Sequence, residues 1–393
     1  MNGVFEKFSE ELDELCKLLN FFESENKLME VISRPADQTD PLLHSLATQL
    51  KEFPTSKRQF NYNTLIISLY GFFEKFIENA LETYAIQLSE IILNYGNLPD
   101  PIPEKHIGKS LELISKLDLT EPSALAKRQE MIANVHRCLN DPLRYKLNLR
   151  AFTAHGANFR TGVIDASFST LGISGISDKI RNSAEFHAYL INQSGLPPET
   201  SFRNEIAFEK LDDLADRRND VAHGVVADTI LQNSIIAEYI EYFKLYGKTL
   251  IEITNYHLIK YSAENRGIML GEMTDNYPDS SVICILTQRV PLKTGGQVIG
   301  INQVSAERAE ILEIRVNNNP VEETDNQDDY EVGLKLSVPF KKNYKVYWLP
   351  PVILDDTDSG ANIESTSEEL VSPEDETEFD IEEPPEDSLE ETV

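Results

Sequence analysis

Cysteine, positive charge and long apolar runs are all scarce in this 393-residue chain. Its three cysteines, Cys16, Cys138 and Cys284, have neither paired nor metal-type spacing. That excludes a disulfide framework and a cysteine-based zinc site, and points to small buried or half-buried side chains in a reducing, cytoplasmic setting. No stretch approaches 18 consecutive apolar residues, so no membrane span is expected. The opening MNGVFEKFSEELDELCKLL is charged from Glu6 onward and lacks a signal-peptide profile. Lys and Arg number 36 against 66 Asp and Glu, a net charge of −30, which argues against grasping duplex DNA through many phosphate contacts. Also missing are a Gly-x-x-x-x-Gly-Lys phosphate loop, a Gly-x-Ser-x-Gly elbow, a Cys-x-x-Cys pair and a His-Glu-x-x-His helix. No metal and no cofactor are therefore expected, and His44, His106, His136, His187 and His257 read as satisfied core or surface histidines. The acidic pairs Asp212-Asp213 and Asp328-Asp329 are consecutive, so each pair diverges to different faces and makes a poor catalytic dyad.

The charge is unevenly spread. Residues 355–393 hold 17 Asp and Glu without one Lys or Arg, and removing those 17 charges from the total of −30 leaves −13 for the rest. Such a segment, rich in Glu, Asp, Ser and Pro, buries too little apolar surface to order itself. Positive charge is concentrated locally at Lys57-Arg58, between Arg144 and Arg160, and at Arg217-Arg218, and it is the local field that captures an anionic ligand.

The first two thirds read as helix. Phe5, Phe8, Leu12, Leu15, Leu18, Leu19 and Phe22 recur at spacings of three and four. A shorter helix is expected over 41–53. The run from Asn61 to Tyr95 is apolar on more than one stripe, which predicts a central helix packed on two sides. Further helices are expected over 104–117, 123–139, 161–171, 177–191, 207–222 and 227–258. After about residue 265 the texture changes to short β-like runs at 281–286, 297–301, 309–316, 330–336 and 344–348, separated by turn signals such as Gly295-Gly296 and Asn317-Asn318-Asn319-Pro320. The expected architecture is mainly α. An N-terminal helical segment (1–60) packs on a helical domain (61–263), followed by a small β-rich sandwich or barrel of about five strands (270–352) and a disordered acidic tail (353–393).

The chemistry concentrates in Arg217-Arg218-Asn219-Asp220-Val221-Ala222-His223-Gly224. On a helix Arg218 and His223 stand about 140° apart at roughly 100° per residue, whereas Asn219 and His223, four apart, share a stripe. Arg218, Asn219 and His223 border one pocket if the helix ends near Gly224, a residue suited to such an ending. A guanidinium that clamps phosphate beside an imidazole, the side chain that changes charge near neutral pH, is a minimal kit for cutting RNA.

Three segments carry a family resemblance: Ser68-Leu-Tyr-Gly-Phe-Phe-Glu-Lys-Phe-Ile77, His155-Gly-Ala-Asn-Phe-Arg160, and Leu211 to Gly224 with its Arg, polar residue and His. Together, over roughly residues 60–260, they resemble the HEPN superfamily, in the bacterial branch grouped with RiboL-PSP-HEPN and MAE-type proteins. The resemblance implies an all-α HEPN bundle that dimerises, with the Arg and His of both protomers lining one cleft, and metal-independent endoribonuclease activity. It implies that His223 is the general acid/base on the ribose 2′-hydroxyl, that Arg218 binds the scissile phosphate, and that Asn219 bonds substrate or orients His223. Supporting positions are Glu74, Arg217 and Asp220. Glu74 either lies against the site or is an ordinary helix-face carboxylate bridged to Lys75 or solvent. Arg217 reads as a solvated neighbour, with a second phosphate contact as the competing reading. Asn158 reads as a cap for the following helix and Arg160 as a loop residue, both also candidate RNA contacts. The expected setting is a toxin–antitoxin or phage-defence system, with RNA as substrate and an antitoxin or second defence component as partner. The competing reading is a non-catalytic HEPN dimer that binds RNA or a nucleotide and recruits a partner through its β-rich part or acidic tail.

Overall fold

The computed structural model describes residues 1–32, 45, 54–117, 120, 122–154, 156–224, 230–277, 279, 281–325 and 327–351. The helix expected over 41–53, Ser45 excepted, and the acidic tail expected to be disordered both lie outside them, as does His155.

Three long helices form the frame: α1 (Asn2–Ile32), α2 (Pro54–Ile91) and α11 (Asn233–Arg266). Each packs against the other two. In α1 the spacing of Phe8, Leu12, Leu15 and Leu19 puts four buried side chains on one stripe. In α2 the buried set from Tyr62 to Leu88 covers roughly 200° of the circumference, and the helix is central, packing on α1, α11 and α10, as its pattern predicts. It starts earlier than expected, because Pro54 lacks only an N–H that a first-turn residue leaves unbonded. Gly247 of α11 permits a close crossing: a Cβ there would lie 2.9 Å from Phe8 Cε1 and 3.3 Å from Phe76 Cζ. Phe8 itself stacks on Phe76 at 4.3 Å.

Between the long helices run α3 (Pro101–Lys116), α4 (Pro122–Asn140), α5 (Arg150–Thr153), α6 (Thr161–Thr170), α7 (Ile176–Arg181), α8 (Ala184–Ser194), α9 (Asn204–Ala207) and α10 (Glu209–Ala222). Two expected helices prove to be broken pairs. The run 177–191 splits at Asn182-Ser183, where Ser183 is extended (φ −65°, ψ 146°). The run 207–222 splits at Phe208 (φ −116°, ψ 18°), so that α10 starts afresh at Glu209. Apolar periodicity continued across both breaks and concealed them. α3, α4 and the segment after α4 are joined by a buried polar cluster. His106 accepts the Asn148 backbone N–H on Nε2 (2.8 Å), and its Nδ1 meets Tyr95 Oη (3.2 Å). Asn148 Nδ2 donates to Ser110 Oγ and its Oδ1 accepts from Asn134.

The last helix leads into an antiparallel sheet of order β1-β8-β4-β5-β7-β3-β2, with β6 on β5. Its strands are β1 (Ile268–Glu272), β2 (Asp275–Tyr277), β3 (Val282–Leu286), β4 (Gln297–Ile301), β5 (Ala306–Val316), β6 (Asn319–Val321), β7 (Glu331–Leu336) and β8 (Lys345–Leu349). The five expected runs are β3, β4, β5, β7 and β8. β1, β2 and β6 went unread because two span only three residues and β1 contains Gly271 at a register shift. β5 pairs β4 through 306–310 and β7 through 311–315, bending at a bulge. One core containing Leu270, Ile283, Val298, Ile311, Leu334 and Val346 is thereby enclosed by both halves of the sheet. Ala263 of α11 packs against Ile299 and Leu349 and joins helix to sheet.

Candidate active site

The strip Arg217 to Gly224 forms the last turns of α10 and the exit from it. Leu211, Leu214 and Ala215 are buried, which turns Asp216, Asp220 and Ala222 outward. His223 is the C-cap (φ −85°, ψ 7°), its backbone N–H still bonded to the Asn219 carbonyl at 2.9 Å. Gly224 follows at φ +68°, in the left-handed region, and its N–H reaches the Val221 carbonyl. The helix thus ends where the glycine indicated, and the His223 side chain is exposed on the final turn.

The three arginines near this strip are engaged differently. Arg217 is half-buried. Its Nε donates to Asp213 Oδ2 (2.6 Å) and its Nη1 to Tyr62 Oη (3.0 Å), and Tyr239 Oη donates to the same Asp213 oxygen (2.6 Å). Burial works against the Arg217 charge, but Asp213 and Tyr62 outweigh it and raise its pKa. Arg217 is therefore a bonded strut between α10, α2 and α11, which corrects its reading as a solvated neighbour. Arg160 reaches Asp216 Oδ1 at 2.5 Å and the Asp212 carbonyl at 3.4 Å. The first of these hydrogen bonds, aided by the Arg160 charge, holds the Asp216 carboxyl below the usual carboxylate range.

Among the described residues, Arg218 is held without a carboxylate. Its guanidinium carbon lies over the Tyr70 ring, 5.4 Å from the centroid, and its Nη1 donates to Asn219 Oδ1 at 3.4 Å. The same oxygen accepts Asn158 Nδ2 at 2.6 Å. Asn158 therefore does not serve as a cap: the helix after it, α6, has Arg160 at its N-cap with no side-chain cap bond. Tyr70 is buried. Its hydroxyl accepts the Phe159 N–H (3.0 Å) and donates to Glu74 Oε1 (3.3 Å). Burial and the Glu74 charge push its pKa up, so it stays a neutral hydroxyl.

Arg218, Asn219, Asn158 and Glu74 are thus linked, with Tyr70 at the centre, and His223 stands one helical turn beyond Asn219. Arg160 braces the turn from outside. Asp220 is exposed on α10 and makes no side-chain bond among the described residues. Tyr70, Tyr62, Asp213 and Asp216 went unassigned in sequence. Asp213 and Arg217 stand four apart, as do Tyr70 and Glu74, and that spacing is the signal that finds Asp213 and Tyr70, whereas Tyr62 and Asp216 meet their arginines only through the fold. Asp212 and Asp213 do diverge: Asp213 serves Arg217, whereas burial raises the Asp212 pKa against the pull of Arg160. Among the described residues no group of three or more His, Cys, Asp or Glu is placed to hold a metal ion, and no helix is long and apolar enough to cross a membrane.

No curated protein and no solved structure matches the chain. A family model described as RiboL-PSP-HEPN matches residues 36–256, a span that contains the whole linked site from Tyr70 to His223.

Proposed function

This chain belongs to the RiboL-PSP-HEPN family, and on that premise we propose that it is a metal-independent endoribonuclease acting as a homodimer in a bacterial toxin–antitoxin or phage-defence setting. The observation that carries the reading is the state of the three arginines. Arg160 and Arg217 are committed to Asp216 and Asp213, whereas Arg218 has no carboxylate partner among the described residues and sits on an aromatic ring. A guanidinium has five N–H donors in a planar fork, and those of Arg218 are left chiefly for an incoming anion.

In this mechanism Arg218 binds the scissile phosphate and stabilises the charge that builds on its oxygens. His223 removes the ribose 2′-proton. The 2′-oxygen then bonds to phosphorus, the bond from phosphorus to the 5′-oxygen breaks, and that oxygen takes a proton from the protonated His223 or from water, leaving a 2′,3′-cyclic phosphate and a 5′-hydroxyl. Asn219 offers its Nδ2 to the substrate while its Oδ1 is held by Asn158. In the homodimer the two strips line one cleft, so that Arg218 of one protomer works with His223 of its partner. DNA, lacking the 2′-hydroxyl, is not cut. The test is incubation with RNA in EDTA. Cleavage is expected from the wild type, and none from His223→Ala, since the acid/base step alone is worth about 100- to 10,000-fold. Cleavage that survives His223→Ala, or inert wild-type protein, overturns the reading.

The non-catalytic alternative draws on a concave groove of about 1350 Å³ on the β-rich part, bordered by Tyr277, Glu313, Arg315, Tyr330, Glu331 and Lys335. It is favoured over the nuclease if the protein co-purifies with a stable partner and leaves RNA intact.

A further inference from the structure

We propose that Tyr70 is the positioning residue of this site, its ring orienting Arg218 and its hydroxyl holding the turn that carries Asn158. The inference rests on the reading of Arg218 as the phosphate-binding group.

The ring comes first. An arginine must be aimed, yet a carboxylate that aims it also takes its donors and cancels its charge. Tyr62 and Asp213 do this to Arg217, whose Nε and Nη1 are both occupied. At Arg218 the support is the Tyr70 ring, 5.4 Å from the guanidinium carbon, inside the roughly 6 Å reach of a cation–π contact. The attraction is between the cation and the ring face and occupies no N–H group of the guanidinium in a hydrogen bond. Arg218 is therefore fixed while its donors and its charge remain for substrate. The platform is itself held in the core, because Tyr70 is only 2% exposed in a helix buried along its length.

The hydroxyl does a separate task. It accepts the N–H of Phe159, which is itself fully buried. Asn158 and Arg160 on either side reach back to Asn219 and Asp216 of α10. Glu74, four residues along α2, accepts the hydroxyl proton and so turns the oxygen lone pairs toward Phe159. One side chain thus supports the cationic residue by its face and the neighbouring polar turn by its edge. Removing the hydroxyl alone should disturb the turn and substrate affinity, and weakening the ring should disturb Arg218 and the chemical step.

The test uses the full-length protein with Tyr70→Phe and with the same phenyl ring fully fluorinated at position 70. The fluorinated ring keeps the shape and inverts the charge distribution of the face. Cleavage of one RNA is measured as kcat and KM, the rate of Arg218 modification by phenylglyoxal is followed by mass spectrometry, and thermal melting verifies the fold. For Tyr70→Phe we expect KM raised about three- to tenfold, with kcat and Arg218 reactivity within about twofold of wild type. Fluorination should lower kcat by a further factor of about ten, within the roughly two- to thirtyfold that a cation–π contact is worth, and should speed Arg218 modification. Equal kcat and equal Arg218 reactivity in the two folded variants overturns the role of the ring. An unchanged KM in Tyr70→Phe overturns the role of the hydroxyl. If the wild type cuts no RNA, the nuclease reading fails, and the Arg218 reactivities still decide whether Tyr70 holds Arg218.

Discussion

Replacing His106 by glutamine tests the polar cluster that anchors the approach to the site. His106 is fully buried between Tyr95, Asn148 and Phe152, whose ring it stacks on at 5.6 Å and 11°. Its Nε2 accepts an N–H, so the imidazole is neutral with its proton on Nδ1, and burial pushes its pKa down to about 4 from 6.5. Above pH 6.5 neither the folded nor the unfolded chain protonates this residue, and the cluster contributes in full. Between 6.5 and 4 the unfolded chain takes up a proton that the fold refuses, so stability falls as pH falls. At about 1.4 kcal/mol for each tenfold in proton affinity, His106 accounts for a loss of about 2 to 3 kcal/mol between pH 7 and pH 4.5. Glutamine fills part of the same space and does not titrate. His106→Gln should be less stable than wild type by about 1–3 kcal/mol at pH 7, the cost of imperfectly met buried hydrogen bonds, and the gap should close or reverse by pH 4.5. Urea unfolding of both proteins at pH 7, 6, 5 and 4.5 measures this, and the titration of the many carboxylates cancels in the difference. Two curves that fall in parallel would refute a neutral, proton-excluding His106.

The remaining predictions address the bundle and the site. Arg217→Ala should lower stability by about 3 kcal/mol, because Asp213 then keeps a half-buried charge without its cation; an unchanged urea midpoint contradicts the strut. Gly247→Ala should cost about 1–3 kcal/mol by pressing a methyl group on Phe8 and Phe76, and a melting temperature equal to wild type's counts against the close crossing. Asn158→Ala should leave the melting temperature nearly unchanged and raise the KM for RNA about three- to tenfold, since Asn219 Oδ1 loses its shortest partner; unaltered steady-state kinetics argue against that pairing.

The helical frame was legible because α1 and α2 bury stripes whose periodicity survives in the sequence, and the five longer strands because alternation such as Val332, Leu334 and Leu336 is plain. The breaks at Phe208 and Asn182-Ser183 were not, since one or two non-helical residues leave the spacing of apolar positions almost intact. At the site, Arg218, Asn219, His223 and the terminating Gly224 were readable as one local strip. Tyr70 and Asn158 were harder. Asn158 stands 61 residues from Asn219 in sequence and Tyr70 farther still, and they meet the strip only because α2 and the turn at 158–160 lie against α10. Arg217 and Arg218 are adjacent and chemically identical, and only packing decides that one is bonded to Asp213 and Tyr62 while the other rests on a ring.

The continuity of α11 has a mechanical consequence. Near one end Tyr239 grips Asp213 beneath the motif helix, and near the other Ala263 is seated against Ile299 and Leu349 of the sheet. The 24 residues between them span about 36 Å of unbroken helix. A beam of that length rotating by about 5° at its sheet end sweeps its far end by about 3 Å, more than the 2.6 Å hydrogen bond between Tyr239 and Asp213 tolerates. Rotation at the sheet end is resisted along the way by α1 and α2, which both pack against α11, so only the part of a load that those contacts do not absorb reaches the bond beneath Arg217, one residue from Arg218.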